Sequence, residues 1–104
     1  MKLLIVTSLK EYQKEVAIIF KQVGIKVFSV SETTGFKEDH SGNLLDSWFS
    51  SGKEHFNSIF LFSFTTDTNA EAALELIQIH NEENHTNFPI RAFIVPVEKS
   101  SYSV

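Results

Sequence analysis

Two spacings of apolar residues alternate along the chain and predict its elements. An almost continuous apolar run at residues 2–7 is typical of a strand that is buried on both faces. Apolar residues then recur at intervals of three and four, which predicts an amphipathic helix. The stripe of this helix consists of Val16, Ile19, Phe20 and Val23. Ser8, with Glu11 three residues later, predicts its N-cap and capping box, and Gly24 predicts its end in the left-handed conformation.

Alternating apolar and polar residues predict a second strand at residues 26–33. Gly35 follows this strand and is expected to release the chain into a polar loop at about residues 36–55. A loop of about 20 residues is long for so small a chain, and such loops are usually functional or disordered. We expect function here, because a rigid strand end and an adaptable surface meet at such places.

The most regular alternation lies at residues 56–64 and predicts the third strand. One face of this strand carries Ile59 and Leu61, and the other carries four phenylalanines and a serine. These are Phe56, Ser58, Phe60, Phe62 and Phe64. We interpret the phenylalanine stripe as part of the core or of an interface between subunits.

A second helical pattern follows, and then a last strand. Asp67 or Thr68 is the predicted cap of this helix, whose inner stripe again has helical spacing. The stripe consists of Ala70, Ala73, Leu74 and Ile77, and His80 is a candidate fifth member. The last strand is predicted at residues 90–97, with a proline near each end.

The resulting order, β-α-β-β-α-β, predicts an α+β, ferredoxin-like fold in a single domain of residues 1–104. Its four-stranded antiparallel sheet would carry both helices on one face and leave the other face uncovered. An uncovered sheet face with phenylalanines is an interaction surface, so the pattern predicts an oligomer.

Composition narrows the classes of function. The formal net charge is -4 and the 9 Lys and Arg residues are scattered, which argues against a nucleic-acid-binding protein. No apolar run is long enough to span a bilayer and the opening residues do not form a signal peptide, so we expect a cytoplasmic protein. The chain has no cysteine, which excludes disulfides and thiolate zinc sites. No spacing of serine, histidine and acidic residues identifies a catalytic site, and an enzyme is not expected.

The long polar loop contains two apolar pairs. They are Leu44 with Leu45 and, further on, Trp48 with Phe49. Apolar and aromatic side chains in polar surroundings are candidate contacts with a partner protein, a lid over a ligand, or packing against a neighbouring subunit.

The same loop contains candidate metal ligands. Asp39 and His40, preceded by Glu38, provide oxygen and nitrogen atoms that bind divalent metals, and His55 lies at the far end of the loop. Adjacent polar residues in a loop are more often simply solvated, so both interpretations stay open.

Two blocks of the sequence resemble the PII nitrogen-regulatory signalling family. The first is Val23-Gly24-Ile25, then Val30-Ser31-Glu32, then Gly35-Phe36, which is similar to the base of that family's T-loop. The second, RAFIVPVE at residues 91–98, looks like the family's final strand. The resemblance spans the whole chain, and these two blocks are its specific part.

This resemblance implies a homotrimer that binds an adenine nucleotide in clefts between subunits and docks its long loop onto a transporter or an enzyme. It places four residues in the strand and loop base that line the cleft, namely Ser29, Gly35, Phe36 and Lys37. It also places Arg91 where the family has a phosphate-contacting lysine; from the residue alone, Arg91 is either a phosphate clamp or an exposed strand charge. Residues 84–89, which correspond to the family's glycine-rich phosphate loop, contain no glycine.

A second resemblance leaves the function open. SWFSSGKE at residues 47–54 looks like the Trp-containing Gly-Lys turn of the CutA family, and residues 85–96 are similar to its last connection and strand. Since CutA proteins share the ferredoxin-like trimer, this choice changes the function and not the fold. It implies a divalent-metal-binding trimer, or a structural module, as the alternative to an effector-binding regulator.

Overall fold

The computed structural model describes residues 1–36 and 55–102, which form one sheet and two α-helices. The strands are β1 (Lys2–Leu9), β2 (Ser29–Phe36), β3 (His55–Thr65) and β4 (Arg91–Pro96), and the helices are α1 (Gln13–Gln22) and α2 (Asp67–Glu83), with a 3₁₀ turn at Lys10–Tyr12. The strand order is β2-β3-β1-β4, and each neighbouring pair is antiparallel. The predicted α+β ferredoxin-like fold is confirmed.

The hydrophobic core lies between the sheet and the two helices. β1 contributes Leu4 and Val6 and β3 contributes Ile59 and Leu61, all of them inaccessible to solvent. Both helices pack against these strand residues, and most residues of the two predicted helix stripes are buried there. They are Val16, Ile19, Phe20, Ala70, Ala73 and Ile77. Burial of each large apolar side chain contributes about 1.5–3 kcal/mol, so this face supplies most of the stability. Neither α1 nor α2, the helices of the described part, is long and apolar enough to cross a membrane.

The opposite face of the sheet, here called the open face, carries the phenylalanine stripe of β3. Ile5 of β1 lies there between Phe62 of β3 and Phe93 of β4. Phe93 is 51% exposed and Phe64 is 49% exposed, and Ile5 is only partly buried. The stripe is therefore not part of the core, and β1 is not buried on both faces as its apolar run predicts. An interface between subunits remains the prediction for this face.

The two predicted ends of α1 have different outcomes. The predicted cap at Ser8 is wrong, because β1 continues through Ser8, which pairs with Ile59 and donates its hydroxyl to the carbonyl oxygen of Leu9 at 3.0 Å. The predicted end at Gly24 is confirmed. Gly24 has a φ of 89°, its N–H donates to Lys21, and the next N–H reaches back to Phe20 at 2.9 Å, which is the Schellman arrangement.

The predicted bounds of β2 are also wrong. The strand begins three residues later than expected, at Ser29, because the carbonyl oxygen of Val27 accepts a hydrogen bond from the Ser63 hydroxyl at 2.7 Å rather than joining the ladder. It also continues through Gly35, which pairs with Phe56, to Phe36. Backbone pairing with the long strand β3 outweighs the tendency of glycine to end a strand.

At α2 the cap is Thr66, whose hydroxyl accepts the Asn69 N–H at 3.2 Å, and not Asp67 or Thr68. The helix thus begins slightly earlier than the pattern predicts, because Thr66 has the extended backbone that a cap requires. The last strand, β4, is one residue shorter at each end than the predicted range of 90–97.

Candidate functional site

A cleft of about 300 Å³ lies at one end of the sheet. Because the strands are antiparallel, the end of β1, the end of β2, the start of β3 and the start of β4 all meet there. Residues 87–89, which precede β4, close one side of the cleft. Arg91 and Thr7, which pair across β4 and β1, form another side, and Gly35 and Phe36 form a third.

Gly35 is needed in the cleft for a steric reason. A Cβ atom at this position would overlap the ring of Phe56, the residue opposite it in β3. Without that atom, the Phe56 ring lies over the β2 backbone and packs edge to face against Phe88, with ring centroids 4.7 Å apart. The glycine thus allows an aromatic pair that joins the base of the long loop to the segment before β4.

Asn81 fixes the segment before β4. Its side-chain amide donates to the carbonyl oxygen of Ile90 at 2.8 Å, and its Oδ1 accepts the Ile90 N–H at 2.9 Å. Ile90 is also buried in the core. These contacts hold the residue next to Arg91, so the backbone of Arg91 has a defined position although its side chain is exposed.

Arg91 supplies the one formal charge among the described residues that line the cleft. Outside the cleft, Lys10 forms an ion pair with Glu32 of β2. Both side chains of that pair are largely exposed, and such pairs contribute little stability. An anion that enters the cleft would therefore meet one planar guanidinium, which can bind a carboxylate or phosphate through two hydrogen bonds.

Three of the predicted effector-binding residues meet in this cleft: Gly35, Phe36 and Arg91. Ser29 does not line it, since it lies opposite Phe62. At the rise of an extended strand, the six residue steps from Ser29 to Gly35 span about 20 Å. Lys37 lies outside the described residues.

The sequence did not identify Phe56, Asn81 or Phe88 as site residues. The signal for the first was present, because a glycine directly opposite an aromatic residue in a sheet indicates close packing, but it requires the strand register. Asn81 lies in the polar stretch that follows the stripe of the second helix, and Phe88 lies in the glycine-free residues 84–89. Neither stretch has a pattern that identifies a site residue.

The predicted partner-binding residues, Leu44, Leu45, Trp48 and Phe49, and the predicted metal ligands, Asp39 and His40, lie outside the described residues. His55 is described: it is exposed, and its ring packs against that of Phe36 with centroids 5.6 Å apart. Within residues 1–36 and 55–102, no group of three acidic or histidine side chains is arranged to hold a metal ion. Metal binding stays a prediction.

No protein-family model matches the chain, and no curated protein matches it. Among the solved structures that resemble it is a candidate PII-like signalling protein from Thermus thermophilus, with a TM-score of 0.60 and 18% sequence identity. The superposition covers 89% of this chain and 82% of that one. At this identity the similarity shows a shared fold. The chain thus has the fold of a PII-like signalling protein, in agreement with the resemblance around Gly35 and in β4.

Proposed function

We propose that the protein is a homotrimeric regulator of the PII-like type. A small anionic effector, an adenine nucleotide or another anion, binds in the cleft and controls whether the segment between Phe36 and His55 docks onto a partner protein. The partner is a cytoplasmic enzyme or the cytoplasmic side of a transporter. One observation carries the proposal: the cleft joins Gly35 and Phe36, at the base of that segment, to Arg91.

The geometry favours coupling between the cleft and the segment. Phe36 and His55 form the last pair of the β2–β3 ladder, so the chain leaves the sheet and returns to it at the edge of the cleft. An anion on the Arg91 guanidinium would sit beside both strand ends. A ligand shifts a conformational equilibrium only by the difference between its affinities for the two states. An anion that contacts these strand ends can have different affinities for the docked and undocked states of the segment.

The open face supports the trimer. Phe64, Phe93 and Val95 are large apolar residues on the sheet that remain substantially exposed in one chain. Contiguous apolar surface of this kind marks a contact with another protein. Packing of three open faces around a common axis would bury these side chains and bring the cleft of one subunit next to the surface of its neighbour.

Binding to the cleft can be tested by thermal unfolding in the presence of ATP, AMP or inorganic phosphate. We expect at least one of these anions to raise Tm in a concentration-dependent way, because a ligand that binds only the folded state stabilises it by about 2.7 kcal/mol at a concentration of 100 Kd. The Arg91→Ala variant should lose this shift. Lys26→Ala removes an exposed cation at the other end of the sheet and serves as the matched control, in which the shift should persist.

Two results would count against the proposal. An equal shift in wild type and Arg91→Ala would mean that the anion binds elsewhere. No shift with any of the anions would remove the effector and leave a structural or partner-binding module.

A further inference from the structure

We propose that the cleft is specific for a planar ring that carries one anionic group, and that a chain of further phosphates adds little affinity. This inference rests on the proposed function of the cleft as the effector site and names the chemical class of the effector. It follows from three features of the described residues: the backbone amides beside Arg91, the number of cations, and the aromatic walls.

The backbone beside Arg91 has no amide left for a phosphate. The Phe88 N–H donates to the Thr86 hydroxyl at 3.2 Å, and the Ile90 N–H donates to Oδ1 of Asn81 at 2.9 Å. Pro89, between them, has no N–H. Three consecutive positions before Arg91 therefore offer no donor, whereas a phosphate-binding loop presents a series of free amides.

The backbone conformation of this segment points the same way. One form of concave amide nest has residues that alternate between right-handed and left-handed conformations. Among the described residues, a positive φ occurs at Gly24, which ends α1 far along the chain from the cleft. Residues 88–90 thus lack free donors, and the segment before β4 lacks the left-handed residue of such a nest.

The charge of the lining sets the number of anionic groups. Arg91 is the one cation among the described residues of the cleft, and its planar fork matches one carboxylate or one phosphate. A triphosphate brings several negative charges into a site where Arg91 is the one cation among the described lining residues. The added phosphates would gain no partner in the described lining, so they should add no affinity.

The remaining walls fit a flat ring. Phe36, Phe56 and Phe88 line the cleft together with Pro89, and Phe56 and Phe88 already form an edge-to-face pair. Aromatic and proline surfaces bind planar rings by stacking and by loss of apolar surface to water. The Thr7 hydroxyl, also in the lining, can donate to or accept from polar atoms on the ring or its substituents. The Ser58 hydroxyl already donates to the carbonyl oxygen of Ser8 at 2.9 Å, so it offers the ligand only an acceptor oxygen.

Isothermal titration calorimetry with four probes tests this inference: AMP, ATP, adenosine and indole-3-carboxylate, all without divalent metal and at one ionic strength. AMP is a ring with one phosphate, and indole-3-carboxylate is a ring with one carboxylate. Comparison of their affinities shows which anionic group the cleft binds. We expect AMP or the carboxylate to bind. ATP should bind less than about tenfold more tightly than the better of these two probes, and adenosine should bind at least about tenfold more weakly than AMP if AMP binds.

Matched variants locate the binding energy. Phe88→Leu keeps apolar bulk but removes the ring. We expect about a fivefold or greater loss of affinity, which corresponds to the lower end of the stacking energy of one aromatic ring. Tyr102→Leu removes an aromatic ring that is 85% exposed and outside the cleft, and affinity should be unchanged. Arg91→Lys keeps the charge but removes the planar fork, and it should weaken the anionic probes while leaving adenosine unaffected. A thermal melt of each variant verifies that it is folded.

The outcomes separate this inference from the function on which it rests. ATP binding about tenfold or more tightly than AMP and the carboxylate would overturn the inference and leave the effector site in place. Adenosine binding as tightly as AMP would also overturn it, because the anionic group would then have no role. Absence of binding by all four probes would overturn the inference, and if inorganic phosphate also gave no thermal shift, the proposed effector site itself would be removed.

Discussion

The two faces of the sheet have the same alternation of residues but different surroundings. On one face, Leu4 and Leu61 are completely covered by α1 and α2. On the open face, Phe64 and Phe93 are equally apolar and about half exposed. Alternation along a strand shows which residues share a face, and it does not show what covers that face. The covered face accounts for the folding of one chain, whereas burial of the open face requires contact with another chain.

Phe20 is the sharpest test of the covered face, because it is the largest side chain that the core buries completely. Phe20→Ala should lower the free energy of unfolding by about 3–5 kcal/mol, through the lost transfer energy and the cavity left among core residues. Urea denaturation followed by circular dichroism measures this loss. A loss below about 1 kcal/mol would show that the covered face is not the main source of stability.

Phe93 tests the open face. Phe93→Glu introduces a charge at a position that is 51% exposed, so a single chain should keep its fold. In the proposed trimer the same charge would be desolvated at a centre of contact, and assembly should weaken by about 2 kcal/mol or more. Light scattering after size exclusion should show a smaller molar mass than for wild type, with an unchanged far-ultraviolet spectrum. An unchanged molar mass would exclude this face as the interface.

The smallest of the three free-energy changes is expected at the cleft, at Gly35. Gly35→Ala places a methyl group where the Phe56 ring lies, and relief of this overlap should cost about 1–3 kcal/mol. The displaced ring should also lose its packing on Phe88, so effector affinity should fall. The double variant Gly35→Ala with Phe56→Ala removes the overlap. In urea denaturation, Gly35→Ala should therefore cost little or nothing when it is added to Phe56→Ala. An equal cost in the wild-type and Phe56→Ala backgrounds would show that the overlap is not the cause.

Much of the fold can be predicted from the sequence, because helical and strand periodicities are local. The stripes of both helices and the two faces of β3 depend on spacing alone, and the end of α1 depends on one glycine and its immediate neighbours. The end of β1 and the register of β2 are different. Ser8 and Gly35 have local preferences for a cap and a turn, and the pairing of their backbones with Ile59 and Phe56 decides otherwise.

The cleft could be predicted only in part. Gly35, Phe36 and Arg91 came from the resemblance to a family, which relates residues that are far apart in the sequence. The contacts that shape the cleft, from Phe56 to Phe88 and from Asn81 to Ile90, join different elements and follow no spacing rule. They appear only when the strands are in register and the second helix is in place.

The pair of hydrogen bonds between Asn81 and Ile90 also determines which substitutions before β4 leave the position of Arg91 unchanged. These residues are nine positions apart, and their contact closes the chain between them into a ring anchored at both ends. Substitutions inside the ring alter what it presents to the cleft, while Arg91, just beyond the anchor, keeps its place in the sheet.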